Sequence, residues 1–186
     1  MPIQKRTPAA PKLNLKPVEE IILARKKLHG GRKGAPKKDV DKTREGEALN
    51  RAAMVMLAAS LEEFFAENFS RVRTKKFRKT LSEKGFEKLN KISKPPRTTD
   101  VEQVEDAFLR IGIEKAFDGL AWQKCRNETL RRKLREINQI RNRSAHGTAL
   151  TVDGKEFALT TVKVQNFVDF SRVLGKALPK HLLDQV

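Results

Sequence analysis

Apolar residues recur at the spacing of an α-helix through most of this chain, and this pattern constrains the fold more than any other feature. The clearest stretches run from Asn127 to Gly147 and from Glu45 to Val72. On a helical wheel of 100° per residue, each keeps its apolar side chains on one face, as helices that share a core do. A third helix is expected from Thr161 to Leu178, ended by Pro179. The pattern predicts an all-α protein, a bundle of four or more antiparallel helices.

The segments between these helices carry shorter signals. Lys75 to Lys94 has apolar residues at helical spacing and predicts one or two short helices with a solvated cationic surface. Two prolines end that segment, and Thr99 or Asp100 is a suitable N-cap for the helix that follows. Alternating residues around Asp153-Gly154 predict a small β-hairpin after the 127–147 helix.

The first 44 residues are expected to stand apart from a helical domain at 45–186. They are rich in proline, glycine and lysine, and they hold 13 Lys or Arg against four acids, which is +9 of the net charge of +17. We therefore expect a flexible basic arm. Val18 to Leu28 predicts a short helix within it, opened by Pro17, which could dock or remain independent.

The remaining residues carry +8, so the helical domain is itself basic and favours a polyanionic partner, either nucleic acid or an anionic membrane. No run of 18 apolar residues is present to span a membrane, and the start MPIQKRTPAAPK lacks the apolar core of a secretory signal. The Val18 to Leu28 helix is too short and weakly apolar to hold a bilayer alone. A single cysteine, Cys125, excludes an internal disulfide and suits a reducing cytosol. We therefore expect a cytoplasmic protein with no membrane partner.

The end of the 127–147 helix brings three functional groups together. Arg141 lies inside the apolar face, within about 40° of Leu130, Leu134, Ile137 and Ala145. An enclosed guanidinium needs a carboxylate, a phosphate or a polar cavity, because an unpaired buried charge costs several kcal/mol. Asn142 and His146 rise four residues apart from one edge of that face. Gly147 suits the position after the helix, which puts His146 in the final turn, where the helix dipole favours a positively charged ring.

These residues match a known motif. Arg141, the polar Asn142 directly after it, and His146 after four intervening residues fit the R-x4-6-H motif of the HEPN superfamily. The local sequence RNRSAHG most resembles the RiboL-PSP and related HEPN toxin and defence ribonucleases. The resemblance implies an HEPN-like helical bundle that acts as a metal-independent ribonuclease in a toxin–antitoxin or antiphage setting. It also implies a protein regulator such as an antitoxin.

Two adjacent acids on the earlier helix differ in where their side chains point. With Leu61 as zero, Glu62 lies at about 100°, on the rim of the apolar face, and Glu63 lies at about 200°, toward water. Glu62 can therefore reach a buried group on a neighbouring helix, and Arg141 is the obvious one. In the HEPN proteins that this chain resembles, an acid of the earlier helix approaches the motif arginine, which selects the same residue. The alternative is that Glu62 is only a rim charge.

RNA carries its own nucleophile, the 2′-hydroxyl, so an enzyme that cleaves it needs a base, a cation and an acid. His146 suits the base or the acid because imidazole exchanges a proton near neutral pH. Arg141 suits the cation, and Asn142 can orient the phosphate or the ring. We therefore predict a metal-independent endoribonuclease that leaves a 2′,3′-cyclic phosphate, uses no cofactor, and includes Glu62 in its catalytic site. One motif supplies one imidazole, and the resemblance implies a homodimer with a composite site.

Further cations are candidates for contacts with RNA phosphates. Arg143 lies within the motif, and a cluster lies at the start of the 75–94 segment, namely Lys75, Lys76, Arg78 and Lys79. Such a run of charge is also typical of a solvated helix face. The alternative to an enzyme is a non-catalytic basic helical module that binds nucleic acid or a protein partner.

Overall fold

The computed structural model describes residues 10–28, 30, 45–123 and 125–186, which form a helical bundle with one small hairpin. The helices of this described part are α1 (Lys16–Leu28), α2 (Glu47–Phe77), α3 (Glu83–Ile92), α4 (Val101–Leu109), α5 (Asn127–Ala145) and α6 (Thr161–Leu183). Strands β1 (Thr151–Val152) and β2 (Lys155–Glu156) pair antiparallel between α5 and α6. The predicted all-α bundle with a hairpin is confirmed. None of the described helices is both long enough and apolar enough to cross a membrane.

Helix α2 is the element around which the bundle is built. It packs against α1, α5 and α6, and more lightly against α4, so its apolar side chains are buried in several directions. The ring of Phe65 meets Phe117 edge-on with centroids 5.8 Å apart, and Phe69 meets Phe108 at 5.6 Å. Each buried phenylalanine contributes roughly 1.5–3 kcal/mol of hydrophobic free energy. These contacts fix the position and rotation of α2 within the core.

Helix α2 runs further than the sequence pattern indicates. The pattern predicts an end at Val72, whereas the helix continues to Phe77. In its last turn, the Nζ of Lys76 donates to the carbonyl of Gly112 at 2.8 Å, which ties this end of α2 to the loop after α4. The first residues of the predicted Lys75 to Lys94 segment therefore belong to α2, and the rest of the segment contains α3.

Helix α5 lies antiparallel to α2. Near its start, Asn127 donates through Nδ2 to the carbonyl of Phe117, which also packs on the middle of α2. Beyond its other end, the carbonyl of Thr148 accepts a 2.8 Å hydrogen bond from Nη1 of Arg51, near the start of α2. The buried side chains of α5 are Leu130, Leu134, Ile137 and Ile140. The packing therefore brings the end of α5 to the first half of α2.

Arg131 joins α5 to α4 and to the loop before α5. Its guanidinium donates to both carboxylate oxygens of Glu105, at 2.8 and 2.6 Å, to Asp118 Oδ1 at 2.6 Å and to Asn127 Oδ1 at 2.9 Å. The hydrogen bonds to Glu105 are the main cause that raises the pKa of Arg131. The hydrogen bond from Arg131 is in turn the main cause that lowers the pKa of Asp118. Arg131 is thus a structural arginine with most of its donors used.

Helix α1 docks onto the bundle, which decides between the two arrangements that the sequence allowed for residues 18–28. The helix begins at Lys16, packs against α2 and α6, and buries Val18 and Ile22. Arg172 of α6 adds an ion pair with Glu19, with Nη2 and Oε1 2.7 Å apart. The predictions for residues 1–9, 29 and 31–44 lie outside the described residues. The division of the chain at residue 44 stays a prediction.

Helix α6 corrects a second predicted boundary. The pattern places its end at Leu178, yet the helix continues to Leu183 with Pro179 inside it. A proline within a helix loses one backbone hydrogen bond and costs about 3 kcal/mol. Because Pro179 and Leu182 are both buried in the bundle, the apolar area that they remove from water offsets this cost.

The Arg131 network predicts a dependence of stability on pH. Because the pKa of Asp118 is lowered in the folded protein, its charged form stabilises the fold above about pH 4. This contribution is lost as the pH falls through the folded pKa. We expect Arg131→Gln to lower the free energy of unfolding by about 1–2 kcal/mol at neutral pH. The free energy of unfolding of this variant should also fall less steeply between about pH 4 and pH 2 than that of the unaltered protein, as measured by urea denaturation across that range.

Arg132→Gln is the matched control, because that side chain is 64% exposed and only faces Glu136 at 3.8 Å. It should keep both the stability and the pH dependence of the unaltered protein. An Arg131→Gln variant with the same steep acid loss as the unaltered protein would contradict the assignment of this pH dependence to the network.

Candidate active site

The carboxyl end of α5 closes in a cap that fixes where His146 lies. Gly147 has a φ of 65°, in the left-handed region that glycine enters without strain. Its N–H donates to the carbonyl of Ser144 at 3.4 Å, and the N–H of Thr148 donates to the carbonyl of Arg143 at 3.1 Å. These are the two hydrogen bonds of a Schellman cap, in which His146 is the residue that follows the last helical one. The cap therefore holds the backbone of His146 at the tip of the helix.

Arg141 lies at the rim of the packed face of α5. Its side chain is 39% exposed, and Ala145, which the pattern also placed on the apolar face, is exposed. The reason is that the buried face turns from Leu134 and Ile137 toward Ile140 along the helix. Since successive residues are 100° apart, this turn leaves Arg141 on the flank. The prediction that Arg141 is enclosed by apolar side chains is therefore wrong.

Glu62 of α2 is the carboxylate that faces Arg141. Its Oε1 lies 3.6 Å from Nη2 of Arg141 and its side chain is only 19% exposed, whereas Glu63 is exposed. The predicted contact is confirmed, and the catalytic role of Glu62 stays a prediction. Burial raises the pKa of Glu62, and the charges of Arg141 and Arg97 act against that shift. Arg141 also donates through Nη1 to Oδ1 of Asn142 at 2.9 Å. Its two terminal nitrogens are thus each oriented by a different neighbour.

The imidazole of His146 is exposed at the tip of α5. Helical rise places its Cα about 7–8 Å beyond that of Arg141 along the axis. Its ring makes neither a hydrogen bond nor an ion pair with any residue in the described ranges. The tip therefore presents an accessible imidazole next to the exposed Arg143 and one helical turn from Asn142. Such a ring is accessible to a bound molecule with which it could exchange a proton.

The predicted cationic cluster at the end of α2 lies apart from this site. Lys76 is about 20 Å along α2 from Glu62, toward the opposite end of the helix. Three of these side chains hold the fold together, through Lys75 to the Leu183 carbonyl, Lys76 to the Gly112 carbonyl and Arg78 over the Phe86 ring. Lys79 is exposed. RNA binding by this cluster stays a prediction, and of the predicted RNA-binding residues only Arg143 lies beside the motif.

Two cations near the site are not identified by the sequence pattern. Arg51 donates to the carbonyl of Thr148 at 2.8 Å, and Glu47 holds it through Nε at 3.2 Å and Nη2 at 3.1 Å. The i, i+4 spacing of Glu47 and Arg51 is a visible signal for that pair, but not for the contact with the cap. Arg97 lies near enough to Glu62 to affect its pKa. Its place follows from the loop before α4, which periodicity does not describe.

A comparison with protein-family models gives a match over most of the chain. The family model described as RiboL-PSP-HEPN matches residues 19–184. The matched range extends from α1 to the end of α6 and includes every element that builds the site. No curated protein and no solved structure matches the chain.

The cap predicts a specific response to substitution of Gly147. A Cβ at this position would meet no atom within 4 Å, so the cost of a side chain comes from its left-handed backbone alone. We expect Gly147→Val to lower the free energy of unfolding by about 1–2 kcal/mol, measured by chemical denaturation. Gly147→Asn should lose less, because asparagine tolerates this conformation. Equal stability of the valine variant and the unaltered protein would show that the cap is not formed.

Proposed function

The chain belongs to the RiboL-PSP-HEPN family, and from this premise we propose that it is a metal-independent endoribonuclease. HEPN domains are generally ribonucleases or nucleotide-binding modules. In the proposed site, His146 transfers protons and Arg141 binds the scissile phosphate. Asn142 and Glu62 orient Arg141 from their positions beside it.

The observation that carries the proposal is a contrast between two arginines on α5. The guanidinium of Arg131 makes four hydrogen bonds of 2.6–2.9 Å. Arg141 makes one hydrogen bond, to Asn142, and a longer 3.6 Å ion pair with Glu62 within the described part of the chain. A guanidinium has five N–H donors in a planar fork. Arg141 therefore keeps donors free for two oxygens of a phosphate, while its neighbours hold it in place.

The proposed reaction uses the 2′-hydroxyl of the RNA itself. The 2′-oxygen attacks the adjacent phosphorus, and the bond from phosphorus to the 5′-oxygen of the next nucleotide breaks. A base removes the 2′-hydroxyl proton and an acid protonates the leaving 5′-oxygen, so the products are a 2′,3′-cyclic phosphate and a 5′-hydroxyl. A neutral His146 serves as the base, and a positively charged His146 serves as the acid. Arg141 donates to the non-bridging oxygens, which gain charge in the transition state.

We also propose that the complete site forms between two copies of the chain. One chain offers a single imidazole at the tip of α5, whereas simultaneous base and acid catalysis uses two proton carriers. The exposure of His146 supports this arrangement, because a second copy can approach the ring without moving another element. In the proposed homodimer each protomer contributes one Arg141 and one His146 to a composite cleft.

The cellular setting is part of the same proposal. The family and the basic charge of +17 support RNA as the substrate. We propose that the protein acts in the cytoplasm as a toxin or antiphage effector. An RNA-cleaving enzyme of this kind needs restraint, which a protein antitoxin or another regulator would supply.

Replacement of His146 tests the enzyme directly. We expect the purified protein to cleave total RNA in the presence of EDTA and to leave 2′,3′-cyclic phosphate ends. His146→Ala should slow cleavage by about 10²–10⁴-fold, which is the usual contribution of general acid–base catalysis. Gel time courses with end-group analysis measure both results. His181→Ala is the matched control, because that half-buried histidine near the end of α6 contacts Gln185, and its loss should leave the rate unchanged.

Two results would contradict the enzyme. Tight RNA binding without cleavage by the unaltered protein would support the alternative, a non-catalytic nucleic-acid-binding module. Cleavage that disappears in EDTA and returns with a divalent metal would contradict the metal-independent mechanism.

Mixed dimers test whether two copies share one site. When the unaltered chain and His146→Ala are refolded together, a shared site needs both imidazoles, so activity should follow the square of the unaltered fraction. An equal mixture should then keep about a quarter of the full activity, with dimers verified by sedimentation velocity. Mixtures with His181→Ala should keep full activity. A linear fall to about half, or activity from a monomer, would contradict the composite site.

A further inference from the structure

A groove lies along α2 beside the candidate site, and we call it the α2 groove. It has a volume of about 740 Å³. One face of α2 from Glu63 to Thr74 forms its floor, and Ala10–Lys12 and the turn around Pro95 and Arg97 form its walls. Helical rise makes the floor about 16 Å long. The groove is therefore long enough to hold a short extended chain.

The α2 groove adjoins the candidate active site. Glu63 at its upper end follows Glu62 directly in α2, so the Glu62–Arg141 pair lies on the neighbouring face of the same turn. Arg97 on its wall lies close enough to affect the pKa of Glu62. The candidate site and the groove therefore lie side by side on α2, so a strand whose phosphate is bound by Arg141 could continue into the groove.

Four exposed charged side chains in the groove carry both signs. Lys12 and Arg97 are cations on the walls, and Glu63 and Glu67 are acids on the floor, which also contains the half-buried Arg71. None of the four makes an ion pair or a side-chain hydrogen bond with another residue in the described ranges. Charges of opposite sign that line one groove without neutralising each other can each meet a separate part of a ligand.

Single-stranded RNA has the complementary chemistry. Its phosphates are negative and suit lysine and arginine, whereas the edges of its bases carry N–H donors that suit carboxylates. A purely anionic ligand would be repelled by Glu63 and Glu67. A nucleotide strand can place its phosphates against the walls and its bases on the floor.

We propose that the α2 groove binds the single-stranded RNA next to the scissile phosphate. In this arrangement Lys12 and Arg97 contact the backbone phosphates, and Glu63 and Glu67 accept hydrogen bonds from base amino groups. The inference rests on the proposed function for its substrate class, and it adds a site that selects the sequence. Adenine, cytosine and guanine have exocyclic amino groups that can donate to a carboxylate. The one N–H on the pairing edge of uracil lies between two carbonyl oxygens, which repel a carboxylate, so the groove should disfavour uracil beside the cleavage point.

The test measures binding in a full-length chain that carries His146→Ala, so that the RNA stays intact. Fluorescence anisotropy gives the Kd for short oligoadenylate, oligocytidylate and oligouridylate. We expect a preference of about 3–10-fold for the first two over oligouridylate, equivalent to one or two base hydrogen bonds. Glu63→Gln with Glu67→Gln should abolish this preference. Arg97→Ala should weaken all three about equally and reduce the slope of log Kd against log salt by about one.

Matched controls are Glu114→Gln and Arg110→Ala, which remove an exposed acid and an exposed cation that do not line the groove. Both should leave the base preference unchanged. The proposal is overturned if the groove variants bind all three oligonucleotides as the controls do, or if the chain binds no RNA. Because binding is measured without cleavage, the two proposals can fail separately. If the protein cleaves RNA but the groove substitutions do not change binding, the groove proposal is contradicted and the proposed enzyme is not. If the protein binds RNA with the expected base preference but does not cleave it, the proposed enzyme is contradicted and the groove proposal is not.

Discussion

The antiparallel packing of α5 on α2 determines where every polar group of the site lies. It sets Glu62 opposite Arg141 and Arg51 opposite the cap that holds His146. The register depends on large apolar side chains such as Phe65, whose ring contact with Phe117 fixes the rotation of α2. A shift by one residue would turn Glu62 by 100° and move it by about 1.5 Å, which would end its contact with Arg141. The chemistry at the rim is therefore positioned by packing in the core.

Much of this arrangement follows from sequence periodicity, and the remainder depends on neighbouring elements. The helices and the contact of Glu62 with Arg141 are predictable from which residues share a helical face, and the hairpin is predictable from the alternating residues around Asp153-Gly154. The extension of α2 beyond Val72 and of α6 through Pro179 is not predictable from the sequence, because tertiary contacts outweigh the local signals. The exposure of Arg141 is missed for a related reason. The buried face shifts around the axis of α5 from its start to its end, and a helical wheel drawn for the whole helix does not show this shift.

The partial burial of Glu62 explains how Arg141 can be kept in place by a carboxylate and still bind a phosphate. A carboxylate that has lost part of its hydration is poorly stabilised as a charge, which is why burial raises its pKa. The nearby Arg141 and Arg97 compensate, and the 3.6 Å separation from Arg141 leaves that pair without a short hydrogen bond. A phosphate oxygen at hydrogen-bonding distance can therefore compete for the same guanidinium. Arg131 has no such freedom, since its short bonds to Glu105 and Asp118 occupy it.

Adjacent residues on one helix link the two functional surfaces that we infer. Glu62 and Glu63 differ by 100° around α2, so one carboxylate faces Arg141 while the next opens onto the α2 groove. A strand that runs from the site into the groove must pass the rim between these two acids. In an A-form duplex the pairing edges of the bases are occupied, and the major groove is too deep and narrow for side chains to read. The geometry of α2 thus favours an unpaired strand as the substrate of the proposed enzyme, in which the same rigid helix would set both the point of cleavage and the bases beside it.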